Sequence, residues 1–269
     1  MQKTILVTGS TDGIGLETAK MLVSKGHHVL LHGRNPTKLQ ATEKMLSALQ
    51  GAGSVESYAA DLSLLADVEA LVKAVAQKHA RLDVLINNAG VYVVSKPVTE
   101  HGLDVRFVVN VIAPYLLMQR LMPLLVPEGR VVNVSSAAQS PVDLGAFIGR
   151  VRLADQAAYA QSKLALTMWS KHLADQLGTS GPMIVAVNPG SLLATNMVKD
   201  AYGIDGSDIS VGADILTRAA LSDEFANASG QYYDNDARRF APPHVDALDQ
   251  RKCEEVVRAI ETFLDQQRA

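Results

Sequence analysis

Thr8-Gly9-Ser10-Thr11-Asp12-Gly13-Ile14-Gly15 closes an apolar run at residues 4–8 and opens a helical pattern that reaches about Ser24. Glycine lets a chain turn tightly and brings bare main chain close to a ligand. The N–H groups of a helix start then face an anion, and a dinucleotide pyrophosphate suits such a place. The spacing is Gly-x-x-x-Gly-x-Gly, not the commoner Gly-x-Gly-x-x-Gly. Taken alone, the stretch also suits a plain structural turn.

Outward from this turn, short apolar runs alternate with longer helical patterns. Strand-like runs stand at residues 28–32, 55–59, 84–87, 130–134 and 183–188. Helical spacing covers residues 36–49, 64–77, 103–121 and 159–177. That alternation predicts an α/β fold with a doubly wound parallel sheet flanked by helices. Residues 191–208 are rich in Gly, Ser and Asp and read as a long loop. A short strand near 231–233 and a closing helix near 250–267 finish the chain. No repeat or linker interrupts it, so residues 1–269 read as one domain, with a substrate-loop region at 190–250.

Composition narrows the function classes. The chain has 269 residues, 48% hydrophobic and 20% charged, with a net charge of −3. That balance lacks the basic field nucleic acid or an anionic membrane would need. Cys253 is the single cysteine, which excludes an intrachain disulfide and a thiolate metal cage. A reducing compartment suits it. Only Met1-Gln2-Lys3 precede the first apolar run, and no stretch approaches the roughly 18 apolar residues of a membrane helix. The expectation is a cytoplasmic protein without a membrane anchor. Seven histidines are present, and no metal is expected.

Chemistry-bearing residues sit where the predicted strands end. The second strand runs into Gly33, Arg34 and Asn35. An NAD site holds an acidic residue near this point, whereas an arginine can grip a 2′-phosphate with a forked, charge-assisted contact. NADP(H) is therefore favoured over NAD(H). Tyr159 and Lys163 lie one helical turn apart. For Tyr159 to exchange protons near neutrality its pKa must fall by ~3 units, roughly 4 kcal/mol, and a nearby ammonium is the simplest agent. Ser135 and Ser136 end the 130–134 run, where ligands of parallel sheets bind. Ser136, placed after the strand, is read as the hydroxyl that polarises a carbonyl. Asn88, Ala89 and Gly90 end another strand, and Asn110 is a mid-helix amide that needs a partner. Pro189, Gly190, Leu192 and Thr195 follow the 183–188 strand. Tyr232, Tyr233 and Phe240 read as packing residues, and Trp169 as core or subunit interface.

Together these residues resemble the short-chain dehydrogenase/reductase family, in order and over nearly the whole chain. The resemblance implies a Rossmann-type domain with a cofactor turn at Gly9, Ser10, Thr11, Asp12, Gly13, Ile14 and Gly15. It implies adenine-side contacts from Asp61 and Leu62, with Arg34 and Asn35 beside the adenosine ribose. Asn88, Ala89 and Gly90 match the Asn-Asn-Ala-Gly element. The catalytic tetrad maps onto Asn110, Ser136, Tyr159 and Lys163. Tyr159 would be the general acid in reduction, and Lys163 would lower its pKa and bind the nicotinamide ribose. Asn110 would hold a relay water, and Pro189, Gly190, Leu192 and Thr195 would frame the nicotinamide.

Two departures stand out. Ser136 and Tyr159 are 23 positions apart, so residues 139–156 resemble an insertion beside the substrate pocket. That is similar to the retinol dehydrogenase and protochlorophyllide reductase branch, whose substrates are bulky and apolar. The stretch from Pro189 to Thr195 is also one residue longer than the family pattern. The expectation is an NADP(H)-dependent enzyme interconverting a small-molecule carbonyl and alcohol. Alternatives are reduction of a conjugated C=C bond and a non-catalytic NADP(H) sensor. The resemblance further implies a homodimer or homotetramer built through the helices containing Asn110 and Tyr159.

Overall fold

The computed structural model describes residues 1–49 and 53–267. Its first half builds β1 (Thr4–Val7), α1 (Gly13–Ser24), β2 (His28–Gly33), α2 (Pro36–Ser47), β3 (Ser54–Ala59), α3 (Leu65–Lys78) and β4 (Leu82–Asn87). A short α4 (Val105–Phe107), a π-helical turn (Val108–Ile112) and α5 (Ala113–Leu121) follow. Then come β5 (Leu125–Val134), α6 (Leu144–Phe147), α7 (Asp155–Leu177), β6 (Met183–Asn188), α8 (Asn196–Tyr202) and α9 (Ser210–Leu221). The chain ends with β7 (Tyr232–Asp234), β8 (Arg239–Ala241) and α10 (Gln250–Gln266).

The strands form one eight-stranded sheet in the order β3-β2-β1-β4-β5-β6-β7-β8. All neighbours pair in parallel except β7 with β8. The order reverses between β1 and β4, and ligands of such sheets lie outside the carboxyl ends of the strands at that point. Every residue of β4 and β6 is buried, because helices cover both faces of the sheet. One apolar core joins the sheet to α3, α5, α7 and α10, and the other lies on the side of α1, α2 and α9.

The expected doubly wound sheet is present, with local differences. Residues 191–208, read as a loop, contain α8, whose Thr195 hydroxyl accepts from the Val198 amide as its cap at 3.2 Å. The 103–121 pattern breaks at the π-helical turn, centred on Asn110. Hydrophobic spacing cannot register that break, since the residues there are buried on every side. The insertion folds inward at α6, where Ala146 and Phe147 are buried. Phe147 of α6 is buried with its ring centroid 4.9 Å from that of Phe107, and α6 touches α10.

Candidate active site

The glycine turn is held from below by Asn88 and by His32, the latter not singled out by the sequence reading. Gly9 takes φ +65°, and a Cβ there would stand 2.9 Å from the Ala89 Cα. A Cβ at Gly15 would collide with the Gly9 carbonyl and the Asn88 side chain. Asn88 donates through Nδ2 to the carbonyls of Thr8 and Gly9, at 2.9 and 3.1 Å. The Gly9 amide donates to Nδ1 of buried His32 at 3.1 Å, which leaves Nε2–H facing the Ala60 carbonyl at 3.1 Å. Burial pushes the His32 pKa down to about 4, so the ring is neutral, as that accepting role requires. Asp12 caps α1 by accepting from the Gly13 amide, and Ser10 exchanges hydrogen bonds with the His32 main chain.

Gly33 and Arg34 stand at the carboxyl end of β2. Gly33 is buried, and a Cβ there would approach the Thr11 methyl to 2.7 Å, so an acidic side chain has no ready place. Arg34 next to it is exposed. Asn35 caps α2 through the Lys38 amide at 3.0 Å. Asp61 is occupied locally, accepting from the Ser63 amide and hydroxyl at 2.9 and 2.7 Å, and Leu62 is buried. The glycine turn thus offers main chain to a ligand, and Arg34 offers a cation at the end of β2. That donor set fits a dinucleotide carrying a 2′-phosphate.

The four polar side chains converge at the carboxyl ends of β4 and β5. Asn110 accepts from the Val91 amide at 2.8 Å and donates to the Val91 carbonyl at 3.0 Å and to Ser162 Oγ at 2.9 Å. It therefore clamps the segment after β4 to α7. A Cβ added to Gly90 would lie 3.4 Å from Asn110 Oδ1 and 3.5 Å from Lys163 Nζ, so Gly90 separates the two. Lys163 is buried, donates to the Val134 carbonyl at 2.7 Å and has its Nζ 5.6 Å from the Tyr159 ring centroid. The Ser136 hydroxyl lies beside the Tyr159 phenol and acts to lower its pKa. Ser135 points into the core instead, sharing a 2.7 Å hydrogen bond with Thr167 Oγ1.

The electrostatics differ from the expected depression of the tyrosine. Burial raises the Tyr159 pKa to about 12, against the lowering effect of Ser136, and nearby Tyr202 raises it further. Burial lowers that of Lys163 to about 8. The Lys163 ammonium is directed to the Val134 carbonyl, not to the phenol. Tyr159 is a protonated phenol at neutral pH, ready to give a proton.

Aromatic rings crown the tyrosine. The Tyr92 ring centroid lies 4.6 Å from that of Tyr159, and Tyr202 of α8 lies 6.0 Å from Tyr92. Arg106 is buried, paired with Asp104 and Asp155, and donates to the Tyr92 carbonyl at 3.2 Å. It joins the start of α7 to this wall. Tyr232, read as packing, donates through its hydroxyl to the Ser136 carbonyl at 3.1 Å, and Gln139 Nε2 donates to the same oxygen at 2.9 Å. Asn235 donates to the Pro189 carbonyl at 2.9 Å. Asp236 accepts from the Ser191 amide and hydroxyl at 2.8 and 2.6 Å. Gly190 takes φ +123° and Leu192 φ +51° in that pinned turn. The Thr195 methyl is 3.5 Å from where a Cβ on Gly13 would stand, and Asn196 donates to Asp12 at 2.7 Å. The contacts of Tyr232, Asn235, Asp236 and Asn196 join residues 45 or more positions apart, which local patterning cannot reveal.

Comparison with known proteins agrees with this architecture. The short chain dehydrogenase profile matches residues 3–203, and the chain belongs to that family. Within it, the chain falls in the branch of the retinol dehydrogenase-like members. It is 30% identical to human retinol dehydrogenase 13, over 91% of this chain and 80% of that protein. A solved structure of an uncharacterised protein from Mycobacterium paratuberculosis superposes with a TM-score of 0.80 at 27% identity, covering 97% of this chain and 92% of that one. A short chain dehydrogenase from Burkholderia cenocepacia, solved in complex with NADP, superposes with a TM-score of 0.70 at 28% identity, covering 87% and 95%. Among the described residues no helix is long and apolar enough to cross a membrane.

Proposed function

We propose that this oxidoreductase uses NADP(H) to interconvert a carbonyl and an alcohol on a bulky apolar substrate, within a single domain spanning residues 1–269. The observation that carries the reading is the meeting of Ser136, Tyr159 and Lys163 at the end of β5, with Lys163 Nζ 5.6 Å from the Tyr159 ring centroid one helical turn further along α7. Gly9, Ser10, Thr11, Asp12, Gly13, Ile14 and Gly15 would hold the pyrophosphate, and Arg34 the 2′-phosphate. Asp61 and Leu62 would flank the adenine. Asn88, Ala89, Gly90, Pro189, Gly190, Leu192 and Thr195 would line the nicotinamide half. A bound nicotinamide supplies or accepts the hydride. Ser136 donates to the substrate oxygen and orients it, and Tyr159 delivers the phenolic proton to that oxygen in reduction or removes it in oxidation. Lys163 steadies the phenolate that results. The NADP-bound relative and the steric closure at Gly33 support the cofactor choice. The tyrosine crown and the resemblance to a protein named retinol dehydrogenase support the substrate class.

The test is absorbance-monitored NADPH oxidation by the purified protein against aldehydes, ketones, quinones and enones of increasing apolar size, with NADH in parallel. Turnover is expected with NADPH in preference to NADH. Tyr159→Phe is expected to reduce it by roughly 10²–10⁴-fold while cofactor binding persists. Binding of NADPH without turnover of any carbonyl or alcohol would sink the enzyme reading, and a clear NADH preference would remove the assigned role of Arg34.

A further inference from the structure

Far from the catalytic end of the sheet, three side chains from three elements converge: His28 opens β2, Glu56 lies in the edge strand β3, and His79 directly follows α3. Their donor atoms all lie within 4.8 Å of one another. Both imidazoles address the same carboxylate oxygen. His79 Nε2 stands 2.8 Å and His28 Nε2 3.9 Å from Glu56 Oε2. The other oxygen, Oε1, pairs with Lys78, whose side chain is exposed enough to swing away. His28 is oriented from behind by a 2.6 Å hydrogen bond between its Nδ1 and Ser54 Oγ, which turns its Nε2 toward the cluster. Metal-binding histidines characteristically use their second nitrogen in this way. All three side chains are half-buried.

We propose that His28, Glu56 and His79 form a binding site for one divalent transition ion of borderline softness, Zn²⁺ being the representative case. Two nitrogens and one carboxylate oxygen make a His₂Glu set suited to zinc, with a fourth position left for water. Zinc ligands sit about 2.0–2.2 Å from the metal. At that radius tetrahedral donors stand about 3.4 Å apart, so His79 must move away from Oε2 and His28 toward it, each by roughly half an ångström. The ion would tie the edge strand β3 to β2 and to the end of α3, and it would take no part in hydride transfer.

The measurement is isothermal titration of tag-free, chelator-treated full-length protein with Zn²⁺ alone, accompanied by thermal unfolding with and without the ion. One equivalent is expected to bind, and the unfolding midpoint is expected to rise. His28→Gln, Glu56→Gln and His79→Gln should each weaken binding at least tenfold and abolish the rise. Ser54→Ala should weaken it by about tenfold, as loss of an outer-shell partner does. His101→Gln, outside the cluster, should change nothing. Absence of Zn²⁺ binding to the native chain overturns the proposal. So does binding that survives in a His28→Gln/His79→Gln double variant whose circular dichroism matches the native chain. Carbonyl reduction assayed in chelator keeps this outcome separate from the proposed catalytic function.

Discussion

Tyr159 and Lys163 illustrate how burial can outweigh a neighbouring charge. The helical spacing brings them together, yet the Lys163 ammonium spends its hydrogen bond on Val134, and the phenol stays protonated. Lys163, with its pKa lowered by burial to about 8, is charged below that pH and neutral above it. The kcat/KM for reduction is therefore expected to fall as pH rises through about 8, while Tyr159, raised to about 12, stays protonated. Lys163→Arg, which does not titrate in this range, should remove that limb. A profile of the native chain that is level across this region would contradict the assignment. His32 makes a matching statement about stability. Its folded pKa, about 4, lies below the ordinary 6.5, so the unfolded state takes up the proton first. Stability is full above about pH 6.5 and is lost as pH falls toward 4, by ~3 kcal/mol when the shift is converted at 1.36 kcal/mol per unit. His32→Gln should flatten that acid limb in denaturant titrations at a series of pH values.

At the scale of elements, the π-helical turn at 108–112 is the feature with most consequence. It puts Asn110 where both ends of its amide are used, on Val91 and on Ser162. Asn110→Ala would leave the Val91 amide and carbonyl without these partners, at a cost of about 1–3 kcal/mol for an unsatisfied buried group. The expected readout is a lower denaturation midpoint together with weaker NADPH binding, because Gly90 adjoins that segment. Unchanged stability would mean that Val91 finds other partners. β7 acts similarly on the opposite side through Tyr232, Asn235 and Asp236. Tyr232→Phe should lower kcat more than it raises KM, since the lost hydrogen bond steadies the Ser136 main chain. Runs such as 183–188 were readable because a strand buried on both faces must be apolar throughout. Helix α8 was not, since its seven residues bury no side chain and leave no periodic trace.

At the scale of the whole molecule, α10 packs over the helices on which assembly would depend. The family resemblance implies association through the helices that carry Asn110 and Tyr159. Here α10 lies across both. Glu261 accepts from the Tyr115 hydroxyl of α5 at 2.7 Å, and Val256, Ile260 and Phe263 join the core that includes Trp169 of α7. Residues 161–170 of α7 are buried without exception, as are 113–118 of α5. With that face closed by its own carboxyl-terminal helix, the chain is expected to run as a monomer of 28.8 kDa in light scattering. A particle of twice that mass would overturn this and require another contact face.

The linear sequence by itself determined the class of fold, the glycine turn and the tetrad candidates. Strand and helix periodicities and turn chemistry are local, and the catalytic residues stand at strand ends or one helical turn apart. Only the tertiary structure decided which serine faces the phenol, how the Tyr159 proton is held, what pins the turn at Pro189–Ser191, and that α10 covers α7. Those outcomes depend on burial and on partners such as Asp236 and Tyr232 that are distant along the chain. Desolvation and hydrogen-bond geometry exist only once the distant segments have packed together.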